Sequence, residues 1–286
     1  MYIIFKKSKP LQNLLSFGLE SWVYPELPEF ISLTSKERET LDAGYLNHSI
    51  YELLKLLEDS KNKATFFVVS QQLEWKNSLI FEIRKAGHEI AFHTYDHTIL
   101  KSDIILIDQI KKSKEFINEF KPTGFRGPQL QYNSSFDRIL KKEGFEYKSN
   151  YFNQNNFNYN NDLTEIYISS CPFFKNNGTS PPKESGISLK NIFKNIYYGS
   201  PFYFPIVPND FIFKYIERCN SSGVFFNIFF HNWQIIKPKD NINMKLLLKN
   251  PLYFNYTLDI NNKFKNFIKI YNSILMSDKV LSKPIN

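Results

Sequence analysis

The stretch Glu89-Ile-Ala-Phe-His-Thr-Tyr-Asp-His97 carries the strongest structural signal in the sequence. Its first part is an apolar run after Gly87, which predicts a short buried strand over residues 89–93. Two histidines then follow at i and i+4, a spacing that lets both bind one metal ion if the chain turns helically after the strand. No glutamate follows His93, so the zinc-metalloprotease helix signature does not fit. By itself the pair indicates a metal site or two unrelated imidazoles at a strand end.

Short apolar runs alternate with helical stretches on both sides of this segment. Strands are predicted at residues 14–20, 64–70, 89–93, 124–126, 145–149, 164–169 and 224–230. Helices are predicted at 48–61, 77–86, 102–120, 134–142, 210–219 and 264–276, and loop or irregular structure at 151–162 and 171–205. Strand then helix, repeated about seven times, favours a parallel sheet with crossover helices, open or closed into a barrel. With no linker and no internal repeat in view, we expect one domain over residues 1–286.

The composition is that of a globular protein. Hydrophobic residues make up 42% of the 286 residues and charged residues 22%, which excludes wholesale disorder. The net charge of +8 comes from dispersed lysines with no nucleic-acid motif, so a solvated surface is expected and no nucleic-acid partner. Two cysteines exclude a disulfide framework.

The beginning of the sequence bears on location. Residues 1–5 are too short for the core of a signal peptide, and the Lys6-Lys7 pair follows them instead of preceding them. No apolar run reaches 18 residues, so no transmembrane segment is predicted. The expectation is therefore a cytoplasmic protein, with its oligomeric state left open.

Polar residues end several of the predicted apolar strands. Glu20 ends the first strand, Arg126 the fourth, and His231 follows the last. In a βα barrel the catalytic groups gather at the carboxyl ends of different strands. Such residues also serve as caps and loop anchors, so each one alone means little.

Together these residues give the chain a resemblance to the polysaccharide deacetylases of the NodB-homology type, carbohydrate esterase family four. Residues 87–97 resemble the two-histidine metal motif of that family, its most specific signature. Other resemblances follow in family order between residues 14 and 233, at 16–22 (Ser-Phe-Gly-Leu-Glu-Ser-Trp), 125–128 (Phe-Arg-Gly-Pro), 144–149, 164–169 and 229–231.

The resemblance implies a distorted (β/α)7 TIM-like barrel that hydrolyses the acetamide of an N-acetylated sugar or glycan. It implies one divalent metal, zinc by default, held by Glu20, His93 and His97, with open positions for water and substrate. Such an ion would lower the pKa of water toward about 7 and polarise the acetyl carbonyl. His231 resembles the general acid that protonates the departing amine. The backbone N–H of Gln129 matches the position that helps to hold the oxyanion.

One position departs from the family pattern. The first motif resembles the subgroup form Ser-Phe-Asp-x-Glu, but Gly18 stands where the base aspartate belongs. Arg126 resembles the arginine that pairs with that aspartate, and Lys148 replaces the aspartate of the Tyr-Asp-Ser-Ser strand. Three explanations are open: residual activity, a substitute base such as Asp96, or a pseudoenzyme that binds sugar without cleaving it. A general base contributes about 10²–10⁴-fold, so its loss is expected to impair turnover without abolishing metal binding.

Two aromatic-rich stretches, 151–159 and 197–204, have two possible roles. Their rings could stack on sugars at the mouth of the barrel, since aromatic faces offer large amphipathic contact area. In a chain with 17% aromatic residues, packing within the protein is the more ordinary role.

Overall fold

The computed structural model describes residues 13–24, 28–75, 78–159, 163–172, 195–238 and 258–281. The predictions for residues 1–7 and for most of the irregular stretch 171–205 lie outside these residues. Among the described helices, none has the length and apolarity needed to cross a membrane.

The described elements alternate between strand and helix over most of the chain. The strands are β1 Asn13–Leu19, β2 Thr65–Val68, β3 Glu89–Phe92, β4 Gly124–Phe125, β5 Tyr147–Lys148, β6 Phe152–Asn153, β7 Phe157–Asn158, β8 Thr164–Ile166, β9 Ile168–Ser169, β10 Cys171–Pro172, β11 Asn195–Ile196, β12 Asn227–His231 and β13 Ser273–Ile274. The helices are α1 Pro28–Ile31, α2 Ser35–Asp42, α3 Tyr45–Asp59, α4 Leu79–Lys85, α5 Asp103–Lys112, α6 Lys114–Phe120, α7 Phe136–Lys142, α8 Asn209–Ser221, α9 Asn232–Ile235, α10 Asn261–Ile270 and α11 Met276–Leu281. Short 3₁₀ turns occupy Ser70–Trp75 and Pro128–Leu130.

The main sheet runs in the order β12-β1-β2-β3-β4-β5-β8, and every neighbouring pair in that run is parallel. Strand β7 adds an antiparallel edge beside β8, and β13 pairs with β1. The mixed α/β fold with a curled, barrel-like sheet confirms the predicted fold class. Because parallel strands share an edge, the residues that follow β1, β3, β4 and β12 meet at one end of the barrel.

A glycine bridges the seam between β12, at one edge of the main sheet, and β9, which pairs with β6 in a separate two-stranded sheet. The N–H of Gly199 donates to the Ser169 carbonyl at 2.8 Å, and the Gly199 carbonyl accepts the Phe229 N–H at 3.0 Å. A β-carbon on Gly199 would lie 2.2 Å from the carbonyl oxygen of Asn227. The seam between β9 and β12 therefore closes over a residue with no side chain.

Alternate residues of β1 face two different surroundings, as expected for a strand with a side-chain period of two. Leu15, Phe17 and Leu19 are buried in the main apolar cluster, to which helix α3 also contributes. The intervening positions Ser16 and Gly18 face the polar interior of the barrel, where they contact residues from other strands.

The prediction of one helix over residues 102–120 is wrong, because the chain forms α5 and α6 with a break at Ser113. The backbone there has φ −91° and ψ 11°, outside the helical range. The Ser113 hydroxyl donates to the Gln109 carbonyl at 2.8 Å, the i−4 bond by which serine competes with the helix backbone.

Three further predictions are corrected. The closing helix 264–276 ends at Ile270 and is followed by β13 and α11, because Asn62 binds this segment from far along the chain. The side-chain amide N–H of Asn62 donates to the Ile268 carbonyl at 2.6 Å, and its side-chain oxygen accepts the Ser273 N–H at 2.7 Å.

The predicted strand 164–169 divides into β8 and β9, which pair with different neighbours. The predicted loop 151–162 contains the short strands β6 and β7. Helices α1 and α2 were not predicted.

Candidate active site

Residues from separate strands meet at the carboxyl end of the barrel. Glu20 directly follows β1, His93 follows β3, and His231 ends β12. His97 joins them from the loop after β3, where Thr94 and His97 both have φ of 65°. The two histidines thus approach each other through left-handed turns of a loop, and the helical turn considered for this spacing is absent.

Glu20, His93 and His97 form a compact group of metal-binding side chains. One ligand atom from each lies within 4.8 Å of the others, and all three side chains are buried. Glu20 Oε2 lies 3.0 Å from His97 Nε2, and the two imidazole centroids are 5.0 Å apart. The structure therefore brings together the three residues that the sequence grouped as metal ligands.

The arrangement of these side chains fits a divalent ion. Glu20 Oε2 is buried and makes no hydrogen bond within the described part of the chain, despite its short distance to His97. His93 uses Nδ1 to contact the Arg126 carbonyl at 2.7 Å, the outer contact that orients a histidine whose Nε2 binds metal. Two imidazoles and a carboxylate are ligands that zinc takes in proteins.

The protonation states also suit metal binding, which needs neutral imidazole and ionised carboxylate. Burial lowers the pKa of His93 to about 3, with His97 adding to the effect, so its ring is neutral. Burial by itself raises the pKa of Glu20, but the neighbouring imidazoles of His97, His231 and His93 outweigh it and lower that pKa to about 2.

His231 is held on both of its ring nitrogens. Nε2 lies 3.1 Å from Glu20 Oε1, and Nδ1 lies 3.1 Å from Gln234 Oε1. The same Gln234 oxygen accepts the His231 backbone N–H at 2.8 Å, which fixes it as an acceptor. Glu20 and Gln234 thus contact the ring on both sides. Burial lowers the pKa of His231, whereas Glu20 and Gln234 act to raise it.

Gly18 lies beside this ring, opposite His231 in the parallel pair of β1 and β12. A β-carbon on Gly18 would lie 2.9 Å from His231 Cδ2, closer than real β-carbons approach other atoms. The ring also stacks on Trp233, with centroids 5.0 Å apart. The imidazole thus fills the space beside the glycine.

Arg126 lies deeper in the barrel and is 1% exposed. Its guanidinium donates to the Ser16 hydroxyl at 3.1 Å and to the carbonyl and hydroxyl oxygens of Ser149 at 3.0 and 3.1 Å. It stacks between the rings of Phe67 and Phe229. Burial lowers the pKa of Arg126 to about 9. Within the described residues no carboxylate forms an ion pair with this guanidinium.

Gln129, Asp96 and His97 line a cleft of about 520 Å³. Gln129 has φ 51° and ψ 23°, in the left-handed region. The carboxylate of Asp96, considered as a substitute base, accepts from both the N–H and the hydroxyl of Thr98, at 3.1 and 2.6 Å. Asp96 thus borders the cleft, and one of its carboxylate oxygens is already hydrogen-bonded to Thr98.

Sequence reasoning missed Gln234, although a signal was available. It lies three residues after His231, at the spacing of a capping box on helix α9.

The rings of Tyr197 and Tyr198 pack within the protein: the ring centroids of Tyr198 and Tyr215 are stacked 4.2 Å apart, and those of Tyr197 and Phe152 lie 4.6 Å apart. Both tyrosines are buried, so of the two possible roles packing is the one that the structure supports for them.

Comparison with known proteins agrees with the resemblance seen in the sequence. Residues 39–148 match the family model described as polysaccharide deacetylase. The matched range contains His93, His97, Arg126 and Gln129, while β1 and β12 lie outside it. The assignment to the motif subgroup, and the interpretation of Gly18 as a lost base, stay predictions.

Two curated relatives are peptidoglycan deacetylases by name. The chain is 28% identical over 133 residues to the peptidoglycan-N-acetylglucosamine deacetylase of Bacillus cereus, covering 45% of this chain and 60% of the relative. It is 26% identical over 125 residues to the peptidoglycan deacetylase of Helicobacter pylori, covering 42% of this chain and 40% of that protein. The alignments thus span less than two thirds of either relative.

A solved structure extends the likeness of fold to nearly the whole chain. A Mycobacterium smegmatis protein, provisionally named a polysaccharide deacetylase, superposes with a TM-score of 0.50 and 16% identity over 98% of this chain and 97% of its own. At that identity the likeness establishes the fold alone.

Proposed function

We propose that this chain, a member of the polysaccharide deacetylase family, is a metal-dependent hydrolase that removes the N-acetyl group from an acetylated amino sugar or glycan. The observation that carries the proposal is the buried group of Glu20, His93 and His97 at the carboxyl end of the barrel. Zinc is the ion proposed for these ligands. When bound, it supplies Lewis acidity toward water and the acetyl carbonyl.

The remaining residues have separable tasks in this proposal. Water adds to the acetyl carbon, the C–N bond breaks, and acetate and a free amine leave. His231 is the proton donor to the departing nitrogen, since its Nε2 lies beside the proposed ligand Glu20 and Gln234 fixes the ring from the other side. The Gln129 N–H is proposed to bind the acetyl oxygen as charge develops on it.

The cleft beside His97 offers room for the sugar. Its volume of about 520 Å³ lies within the range of small-molecule sites. Its walls include the polar side chains of Thr98, Gln129 and Gln131. Because the curated relatives described above are named for peptidoglycan, N-acetylglucosamine-containing fragments of peptidoglycan are the first substrates to test.

Metal analysis and acetate release test this proposal. The purified protein loaded with zinc is expected to retain about one ion after dialysis, and His93→Ala is expected to retain none. The matched control is His48→Ala, since His48 is an exposed histidine of α3. Wild-type protein that binds no divalent ion would contradict the proposal.

A second candidate function follows from Gly18. The chain would then be a carbohydrate-binding protein of the same fold that keeps the metal and the cleft but does not hydrolyse the acetamide. Acetate release from N-acetylglucosamine oligomers separates the two functions. Turnover above that of the metal-free protein supports the hydrolase, whereas oligomer binding without turnover supports the binding protein.

A further inference from the structure

The turn that carries Gln129 has an unusual backbone. Gln129 and Leu130 are consecutive and neither is glycine, yet both have positive φ, 51° and 60°. Left-handed conformations are unfavourable for residues with a β-carbon, and they persist only where the surroundings impose them. The turn at residues 127–131, which contains both residues, must therefore be constrained by its hydrogen bonds.

Part of the constraint comes from within the turn. The Leu130 N–H donates to the Gly127 carbonyl and the Gln131 N–H to the Pro128 carbonyl, both at 2.9 Å. The Gln131 carbonyl folds so closely over Gly127 that a β-carbon there would lie 2.2 Å from it. These bonds tighten the turn but do not attach it to the barrel.

Asn150 provides the attachment. Its Oδ1 accepts the Gly127 N–H at 2.7 Å, and its side chain is fully buried. Its own backbone N–H donates to Glu165 Oε1 at 2.7 Å, and the Tyr151 N–H donates to the same oxygen at 3.1 Å. Asn150 thus joins the first residue of the turn to a carboxylate on strand β8.

We propose that Asn150 is a positioning residue, which holds the turn at residues 127–131 in its left-handed form and so keeps Gln129 on the wall of the cleft. This inference rests on the proposed function, in which the Gln129 N–H binds the acetyl oxygen. The bond also bears on one metal ligand, because the Gly127 N–H and the Arg126 carbonyl that contacts His93 belong to the same peptide group. Arg126 has further anchors of its own, since its N–H bonds to the Phe92 carbonyl at 3.0 Å and its guanidinium to Ser149.

The test compares Asn150→Ala with Asn150→Asp, which keeps an acceptor oxygen in the same place. The control is Asn153→Ala, because the Asn153 side chain is also buried and its partners, the Asn155 N–H at 3.2 Å and the Tyr167 side chain, lie outside the turn. For Asn150→Ala, kcat on N-acetylglucosamine oligomers is expected to fall about 10–100-fold, as for a misplaced oxyanion donor. KM is expected to change less than about threefold, and the zinc Kd is expected to rise by a smaller factor than kcat falls. Asn150→Asp is expected to recover much of kcat.

Two results would overturn the inference. One is an unchanged kcat in Asn150→Ala. The other is a loss of zinc affinity and thermal stability in step with kcat, which indicates a structural role. Crystal structures of the variants decide the matter even if wild type proves inactive: Gln129 and Leu130 should leave positive φ in Asn150→Ala and keep it in Asn150→Asp. If Asn150→Ala does not fold, Asn150→Ser, whose oxygen reaches less far, replaces it with the same expectations.

Discussion

His231 and Gly18 are neighbours across the β1–β12 pair, and the imidazole lies where a side chain at position 18 would begin. A β-carbon on the glycine would approach Cδ2 of the ring to 2.9 Å and Nε2 to 3.3 Å. Gln234 and Trp233 hold the ring from other sides. The imidazole of His231 can therefore occupy this position only because residue 18 has no side chain.

Gly18→Asp is expected to raise deacetylase kcat/KM about 10–1000-fold. A carboxylate there could accept a proton from the attacking water, and general-base catalysis contributes about 10²–10⁴-fold. We expect the gain to fall short of that upper limit because the imidazole must shift by several tenths of an ångström to admit the new side chain. Steady-state acetate release at saturating zinc measures the change.

Gly18→Ala is the matched control for this substitution. It introduces the same β-carbon beside His231 without a carboxylate, so it is expected to leave kcat/KM unchanged or lower. Equal rates for the alanine and aspartate variants would show that residue 18 is not the position of the missing base.

Zinc is expected to raise the melting temperature of the wild-type protein and not that of Glu20→Gln. Ligand at about 100 times its Kd stabilises a protein by about 2.7 kcal/mol, roughly 5–10 °C for a chain of this size. Replacing the carboxylate removes the charged ligand while keeping its shape. Thermal unfolding with zinc and with chelator measures the effect, with Glu115→Gln as an exposed control. A similar zinc-dependent rise in both variants would exclude Glu20 as a ligand.

Lys148→Met is expected to destabilise the protein by about 3–5 kcal/mol, because it leaves a buried carboxylate without its cation. Lys148 is 1% exposed and forms an ion pair with Asp137, which also accepts the Tyr132 hydroxyl. The double variant Lys148→Met with Asp137→Leu should recover most of the loss. Urea unfolding of the three proteins measures this, and a single-variant loss below about 1 kcal/mol would show that the pair is not important for stability.

The metal-free protein is expected to lose stability as the pH falls from about 6.5 to 4, partly through His88. Burial lowers the pKa of this histidine to about 4, so between these pH values the unfolded chain binds a proton that the folded chain does not. The slope contributed by one such group is at most about 1.4 kcal/mol per pH unit.

His88→Asn is expected to make this decline shallower. The Asn oxygen can replace Nδ1 of His88, which accepts the Ala64 N–H at 3.3 Å. The exposed His48→Asn serves as control. Melting temperatures in chelator at half-unit pH steps measure the difference, and parallel curves for wild type and His88→Asn would refute the assignment.

The strands that form the barrel could be predicted from sequence because their signal is local. Residues 64–70 and 89–93 are compact apolar runs, and both became strands near the predicted positions. The errors occur where side chains from far along the chain decide the backbone. Asn62 ends α10 from about 200 residues away, and no pattern within residues 264–276 indicates that contact.

The residues of the site also divide into those that the sequence indicates and those that contacts from far along the chain place. Glu20, His93 and His97 could be grouped from sequence because each lies at or just after a strand end and because of their family resemblance. The role of Asn150 depends on one hydrogen bond to Gly127 in a turn and another to Glu165 on β8, and sequence spacing encodes neither contact. The position of the His231 ring beside Gly18 likewise depends on the register of β1 against β12.

The barrel wall at Gly199 leaves no room for a side chain, although this residue has no part in the proposed chemistry. Gly199 joins β9 to β12 through its two backbone bonds, and the Asn227 carbonyl occupies the direction in which a side chain would grow. Even a methyl group there would push the two strands apart. Since β12 ends in His231, a substitution at residue 199 would displace the proposed proton donor without touching it, and we expect variation here to be as damaging as variation among the ligands.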